Sequence, residues 1–189
     1  MKPSALRVLL CLVTFWVAAI GVAQADLIVG SLPMAGISVS IDGVTLNNAA
    51  ILSDANSITS GTGTGDFSGI PIQVTDFGGF TLTTSTLSTG GGFSISNATY
   101  GSFVASSGAI TPPVTANFLN VDLFGTFTPG PAFPGDTPSP ARVHLSFTQT
   151  DQSVSASMTL ATVPEPRTML LFGSAVLGLA GLLRHKRMV

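Results

Sequence analysis

The chain is short of charge, cysteine, tryptophan and tyrosine. Charged residues make up 8% of its 189 positions, against about 25% in an average soluble domain. That scarcity excludes a coiled coil, an acidic or basic tail, and a nucleic-acid binder working through a basic face. The single Cys, Cys11, and the single Trp, Trp16, both lie near the N-terminus. Between 26 and 163 there is accordingly no thiol and no disulfide. With His144 as the one imidazole there, an ordinary zinc site is excluded as well. The same stretch has no Lys and no Glu, and carries one Arg, Arg142, against eight Asp, a formal charge of −7. Such a body repels nucleic acid and anionic lipid and attracts cations.

The other basic residues sit at the two ends. Lys2 and Arg7 precede the apolar run Val8 to Ala19, and Ala23-Gln24-Ala25 follows it. A basic start, a short apolar run and a small-x-small site at Ala23 and Ala25 are the parts of a secretory signal peptide, expected to span 1–25 and be read by the Sec export machinery. The run is too short for a spanning helix. Cys11 lies inside it and leaves with the signal. At the other end, Val163-Pro164-Glu165-Pro166 is stiff and extended, because each Pro fixes its own φ and biases its predecessor away from helix. Thr168 to Leu183 holds 16 residues without a charge. At 1.5 Å per residue they span roughly 24 Å as a helix, short of the ~30 Å hydrocarbon core. Snorkelling of Arg167 and Arg184, or local thinning, closes the gap. Arg184-His185-Lys186-Arg187 then forms a basic anchor, kept cytoplasmic by the positive-inside rule. Both ends therefore predict one topology: a body outside the cytoplasm and a transmembrane helix at about 168–183.

This tripartite tail, 163–189, resembles the PEP-CTERM protein-sorting domain. The matching parts are Val163-Pro164-Glu165-Pro166, the uncharged stretch 168–183 with its small-residue centre, and the terminal basic cluster. The resemblance implies an exported or envelope protein of a Gram-negative cell. It also implies recognition by a membrane-embedded exosortase, cleavage near the Pro-Glu-Pro motif, and a link to exopolysaccharide and biofilm. It covers the tail alone and implies little about chemistry in the body, 26–162.

The body reads as all-β. Val143, Leu145 and Phe147 alternate with His144, Ser146 and Thr148; after Asp151-Gln152, Val154, Ala156, Met158 and Leu160 alternate with Ser and Thr. Phe80 and Leu82, Phe93 and Ile95, and Val121, Leu123 and Phe127 follow the same period, the last set interrupted by Gly125. Ile37 to Ile41 and Val44 to Leu46 flank Asp42-Gly43, a hairpin signal. Ile70, Ile72 and Val74 around Pro71 predict an edge strand. The stretches 60–69 and 129–140, the latter with five prolines, predict loops. No helical period stands out, and strands about ten residues apart predict a β-sandwich.

Catalytic and ligand-binding patterns are sparse. Gly61-Thr62-Gly63-Thr64-Gly65 lacks the phosphate-loop spacing and a following Lys, so it reads as a flexible loop. No G-x-S-x-G elbow occurs. His144 falls on the polar side of its strand, and with 39 Ser and Thr between 26 and 163, a nearby hydroxyl carries no information. Asp42, Asp66, Asp76 and Asp136 stand near Gly and read as turn formers rather than Ca²⁺ ligands. Asn97-Ala98-Thr99 matches a glycosylation sequon, a pattern common by chance. The inventory predicts no enzyme, no cofactor and no metal. It favours a structural or adhesive surface or matrix protein, with exopolysaccharide as a partner. The alternative is a carbohydrate-binding module without catalysis, which requires aromatic side chains on one face.

Overall fold

The computed structural model describes residues 26–162. The signal segment with Ala23 and Ala25, the motif Val163–Pro166, the apolar span and the basic cluster 184–187 lie outside the described residues. Among those described, no helix is long and apolar enough to cross a membrane.

The strands are β1 (Asp26–Leu27), β2 (Ser31–Ile37), β3 (Ser40–Ile41), β4 (Ile51–Asp54), β5 (Asn56–Thr59), β6 (Phe80–Thr83), β7 (Ser94–Asn97), β8 (Gly101–Thr115), β9 (Phe118–Pro129), β10 (Asp136–Thr137), β11 (Ser139–Thr150) and β12 (Ser153–Thr162). Short 3-10 turns occupy Leu46–Asn48, Gly65–Gly69 and Thr84–Thr89. The body is all-β, as its period-two patterns predict. Seven strands form one antiparallel sheet in the order β5-β2-β12-β11-β9-β8-β7, β3-β4-β6 form a second, and β1 pairs parallel with β10.

Alternation explains the centre of the large sheet. Val143 stands opposite Leu160, Leu145 opposite Met158 and Phe147 opposite Ala156, all buried. On the other side of β11, Leu123, Val121 and Leu119 complete the same buried rows. Asp151 closes the β11–β12 turn at φ 53°, a conformation that Asp tolerates. Gly125 sits where β8 bulges between Ala105 and Ser107. A Cβ at Gly125 would run into the Val104 carbonyl, so the break in the β9 pattern marks a close backbone approach.

Two separate facing sheets are not what the chain builds. β2 runs on into β3 and β4 into β5, bending together at Ser38 (φ 62°) and Ala55, where the Ala55 N–H bonds the Ile37 carbonyl. The next segment, 75–79, lies beside β5: Ser57 N–H donates to Gly78 O, Phe77 N–H to Ser57 O, and Thr59 N–H to Thr75 O. On its far side the Phe77 carbonyl accepts the Ser96 N–H of β7 at 2.7 Å. The two edges of the large sheet are thus joined through 75–79, and the sheet nearly closes into a barrel. Gly79 permits this, since a Cβ there would meet the Asp54 and Ala55 carbonyls. Near-closure leaves few free strand edges to manage.

The interior is a chain of phenylalanines. Phe67, Phe77, Phe93, Phe103, Phe127 and Phe147 are fully buried. Phe67 meets Phe127 edge-on at 5.3 Å, and Phe80 of β6 reaches both Phe93 (4.8 Å) and Phe147 (6.4 Å), tying the small sheet to the large one. Edge and tilted contacts of this kind add to the apolar burial.

Several local expectations are corrected. The Asp42-Gly43 hairpin does not pair 37–41 with 44–47; β3 pairs with β4. Asp42 Oδ1 accepts the N–H groups of Ala50 and Ile51, both at 2.9 Å, which widens the loop to include the Leu46–Asn48 turn. Leu46 is buried by that turn while Val44 is 86% exposed. No strand forms at 70–74. The Pro71 carbonyl accepts the hydroxyls of Thr59 and Thr75, and Gln73 takes φ 63°, so the segment is a turn. Neither predicted loop is a loose one. Phe67 anchors 60–69 in the core, and Phe133 packs on both Phe67 (5.8 Å) and Tyr100 (6.2 Å) from within 129–140.

Candidate functional site

The cross-strand register gathers the body's one Arg and its one His on a single carboxylate. Asp122 lies on β9, directly opposite His144 of β11, with Arg142 two residues earlier on the same face. Arg142 meets Asp122 Oδ1 through its terminal nitrogen at 2.7 Å and its Nε at 3.1 Å. His144 Nδ1 bonds the same oxygen at 2.7 Å. An ionised carboxylate only accepts, so Nδ1 carries the proton and Nε2 faces outward as an acceptor while the ring is neutral. Burial pulls the Asp122 carboxyl upward. Hydrogen bonds from Arg142 and His144, with their charge, outweigh this and hold it below the usual carboxylate range. The carboxylate is covered, with 11% of its side chain exposed, whereas Arg142 (45%) and His144 (43%) reach solvent.

Beside this cluster Phe124 follows Asp122 on the outer face of β9, opposite Arg142, and is 47% exposed. The Arg142 guanidinium lies 5.9 Å from its ring centroid, within cation–π range. Small side chains flank the pair: Ala109 opposite Asp122 on β8, and Ala161 opposite Arg142 on β12. Much of the surrounding face is Ser, Thr and Asn. An Asp–His pair supplies two members of a hydrolytic triad. Thr159 stands opposite His144 in register, but no hydrogen bond joins its hydroxyl to the imidazole, whose one partner among the described residues is Asp122, and the sequence has no G-x-S-x-G elbow.

The other sequence candidates have structural duties. Asp66 Oδ2 accepts the Val29 N–H at 2.6 Å, and Asp76 Oδ1 the Gly78 N–H at 2.7 Å. Together with Asp42 they act on backbone N–H groups, the turn-forming role their Gly neighbours predict. Among the described residues, no three His, Cys, Asp or Glu gather into a group able to hold a metal. The glycine-threonine run is pinned to β2: Thr64 N–H donates to Ser31 O, and Thr64 Oγ1 accepts the Ser31 N–H. Asn97 Nδ2 donates to Asp76 O, and its Oδ1 accepts the N–H groups of Thr99 and Tyr100, so the sequon nitrogen is already bonded and the oxygen closes a turn.

Two further polar features escaped sequence reasoning. Asp54 is buried, its Oδ2 bonded by Ser57 and its Oδ1 without a partner. Burial pushes its carboxyl up, more than the Ser57 and backbone hydrogen bonds lower it. A cleft of about 350 Å³ opens where β3 diverges from the start of β12, walled by Val39, Ile41, Val44 and Val154. In its lining, Gln149 donates to the carbonyls of Val44 (2.9 Å) and Asp151 (3.0 Å), leaving a buried, unpartnered Oε1.

Comparison with known proteins bears on the tail. No curated protein and no solved structure matches the chain. Residues 162–187 match the family model described as the PEP-CTERM protein-sorting motif, beginning at the last residue of β12. The chain therefore carries a PEP-CTERM sorting motif behind an all-β body, the mark of an exported protein targeted to an exosortase.

Proposed function

We propose that this is a non-catalytic cell-surface or extracellular-matrix protein with a structural or adhesive role linked to exopolysaccharide and biofilm. The Sec machinery exports it and removes 1–25. The helix at about 168–183 holds it in the inner membrane, with 184–187 in the cytoplasm, until the exosortase cuts near Val163–Pro166. The sorting-motif match at 162–187 carries this reading. It is supported by a body in which Asp42, Asp66 and Asp76 bind backbone N–H groups and Asp122 is held in a salt bridge. A second reading, a carbohydrate-binding module without catalysis, draws support from one observation, the half-exposed Phe124 beside the Asp122 cluster.

Membrane fractionation with intact-mass analysis tests the first reading. The expected mature N-terminus is Asp26. Replacing Pro164, Glu165 and Pro166 by Ala leaves export intact and stops release from the membrane. Release as efficient as in the parent, or recovery of Met1 in the envelope fraction, overturns the processing scheme.

A further inference from the structure

We propose that the outer face of β9 and β11 is a binding site for a neutral glycan, seated on Phe124 and gripped by Asp122, Arg142 and His144. The proposal rests on reading the body as a binding domain, and assigns that reading a place and a ligand class.

Four observations converge. First, Phe124 presents its ring on a face whose neighbours are mostly small or polar. Ser107 stands opposite it on β8, Ala109 opposite Asp122, and Ala161 lies one strand further on, across Arg142 on β12. These small side chains leave Phe124, Arg142 and His144 each about half exposed around the covered Asp122 carboxylate. An exposed aromatic face suits the C–H side of a pyranose ring, which is apolar, while the sugar's hydroxyls project around its rim. Second, the groups beside the ring match those hydroxyls. Arg142 supplies donors, His144 Nε2 an acceptor and Asp122 a carboxylate. Third, the cluster is already rigid. Arg142 is fixed by two contacts to Asp122 and by the Phe124 ring, and His144 by its bond to the same oxygen. Less rotamer freedom is then lost on binding. Fourth, charge selects the class. Arg142 and Asp122 neutralise each other, and the remaining ionised side chains of the body are seven Asp. A uronic-acid or sulfated polymer would approach a body of its own sign, and a neutral one would not. The site lies on an open sheet face, which admits a point along a polymer as readily as a chain end.

The test is native affinity electrophoresis of the full chain in detergent. Gels contain either neutral polysaccharides (dextran, a β-1,3-glucan, a galactomannan, a xyloglucan) or acidic ones (alginate, polygalacturonate). At least one neutral polymer should retard the protein, and alginate and polygalacturonate should not. Phe124→Ala should weaken the retarding interaction about tenfold, while Phe124→Tyr keeps it. Circular dichroism checks that the half-exposed substitution leaves the strands intact. His144→Ala offers a second variant away from the ring and should weaken binding less. Retardation that survives Phe124→Ala overturns this site and leaves the binding-domain reading standing. Retardation by the acidic gels alone overturns the neutral class. No retardation in any gel overturns both the site and the binding-domain reading, leaving the structural one untouched.

Discussion

The two halves of the body reach the same barrel by different means. From 101 to 162, β8, β9, β11 and β12 run 10 to 15 residues each and are joined in hairpin order, with β9 pairing both β8 and β11. From 26 to 100 no strand exceeds seven residues. There the chain is held by contacts far apart in sequence: β2 against β12, Gly30 N–H to Thr162 Oγ1, Val29 N–H to Asp66. Backbone ladders hold the second half. Side chains aimed at backbone groups, and single buried phenylalanines, hold much of the first. A ladder is redundant, since neighbouring bonds remain when one is lost. A cap or an anchor ring has no substitute.

The sharpest way to break this comparison is to remove one ring from each half. Phe67→Ala and Phe147→Ala should each destabilise by about 3–5 kcal/mol, because both rings are fully buried. Amide hydrogen exchange should separate them. Phe67→Ala should expose 60–70 and the Phe133 segment while β11 and β12 stay protected. Phe147→Ala should lower protection across both long strands together. Uniform loss in the two variants would show that the halves unfold as one unit and that the contrast has no energetic meaning.

Smaller effects are expected at the caps. Asp42 accepts two backbone N–H groups at the start of β4, and Asp42→Ala leaves both to water. A loss of about 1–2 kcal/mol follows, since hydrogen bonds to a charged group are the stronger kind. Ser155→Ala, on the outer face of β12 where its hydroxyl meets Thr148, should change the denaturation midpoint by less than half as much. Equal losses would mean that ladder and cap are not distinguished in this fold.

The same contrast explains what the sequence made legible. Period two is a reliable guide where a strand meets its chain neighbour over many residues, so 143–147 and 154–160 are placed correctly with their buried sides. It misled at Val44–Leu46 and Ile70–Val74, where a side-chain cap at Asp42 and a pair of threonine hydroxyls on Pro71 O impose turns. Near-closure through 75–79 was not visible, because it depends on Gly79 meeting a strand more than twenty residues away. The polar cluster was half visible. Parity places Asp122, Arg142 and His144 on the outer faces of their strands. Only the register across β9 and β11, set through the 129–138 connection, puts them in contact. The sorting tail was legible outright, because its parts are contiguous in the chain.

The smallest effect, and the most specific, is in acid. Two buried carboxyls, one in each half, are shifted in opposite directions. Asp122 is held below its usual value of 3.8 by Arg142 and His144, against the upward pull of burial. Its folded form binds protons less readily than its unfolded form. It therefore contributes stability above the unfolded value, which is lost as pH falls through the lower folded value. Asp54 is raised above 3.8 by burial, and one oxygen lacks a partner. Its folded form binds the proton more readily. It weakens the fold near neutral pH, and that penalty is relieved as pH falls through the raised value toward the unfolded one. Asp54→Asn should accordingly raise the denaturation midpoint at pH 7 and flatten the stability profile on its upper acid side. Asp122→Asn should lower the midpoint at pH 7, by on the order of 1 kcal/mol or less because Arg142 is half in solvent. It should also remove part of the fall below pH 4. Urea midpoints of the two variants and the parent, taken from pH 7 to pH 3, measure this. Slopes of the same sign for both substitutions would show that the two carboxyls sit in like environments, and would undo the contrast between a buried acid met only by a hydroxyl and backbone groups and one held by Arg142 and His144 on the outer face.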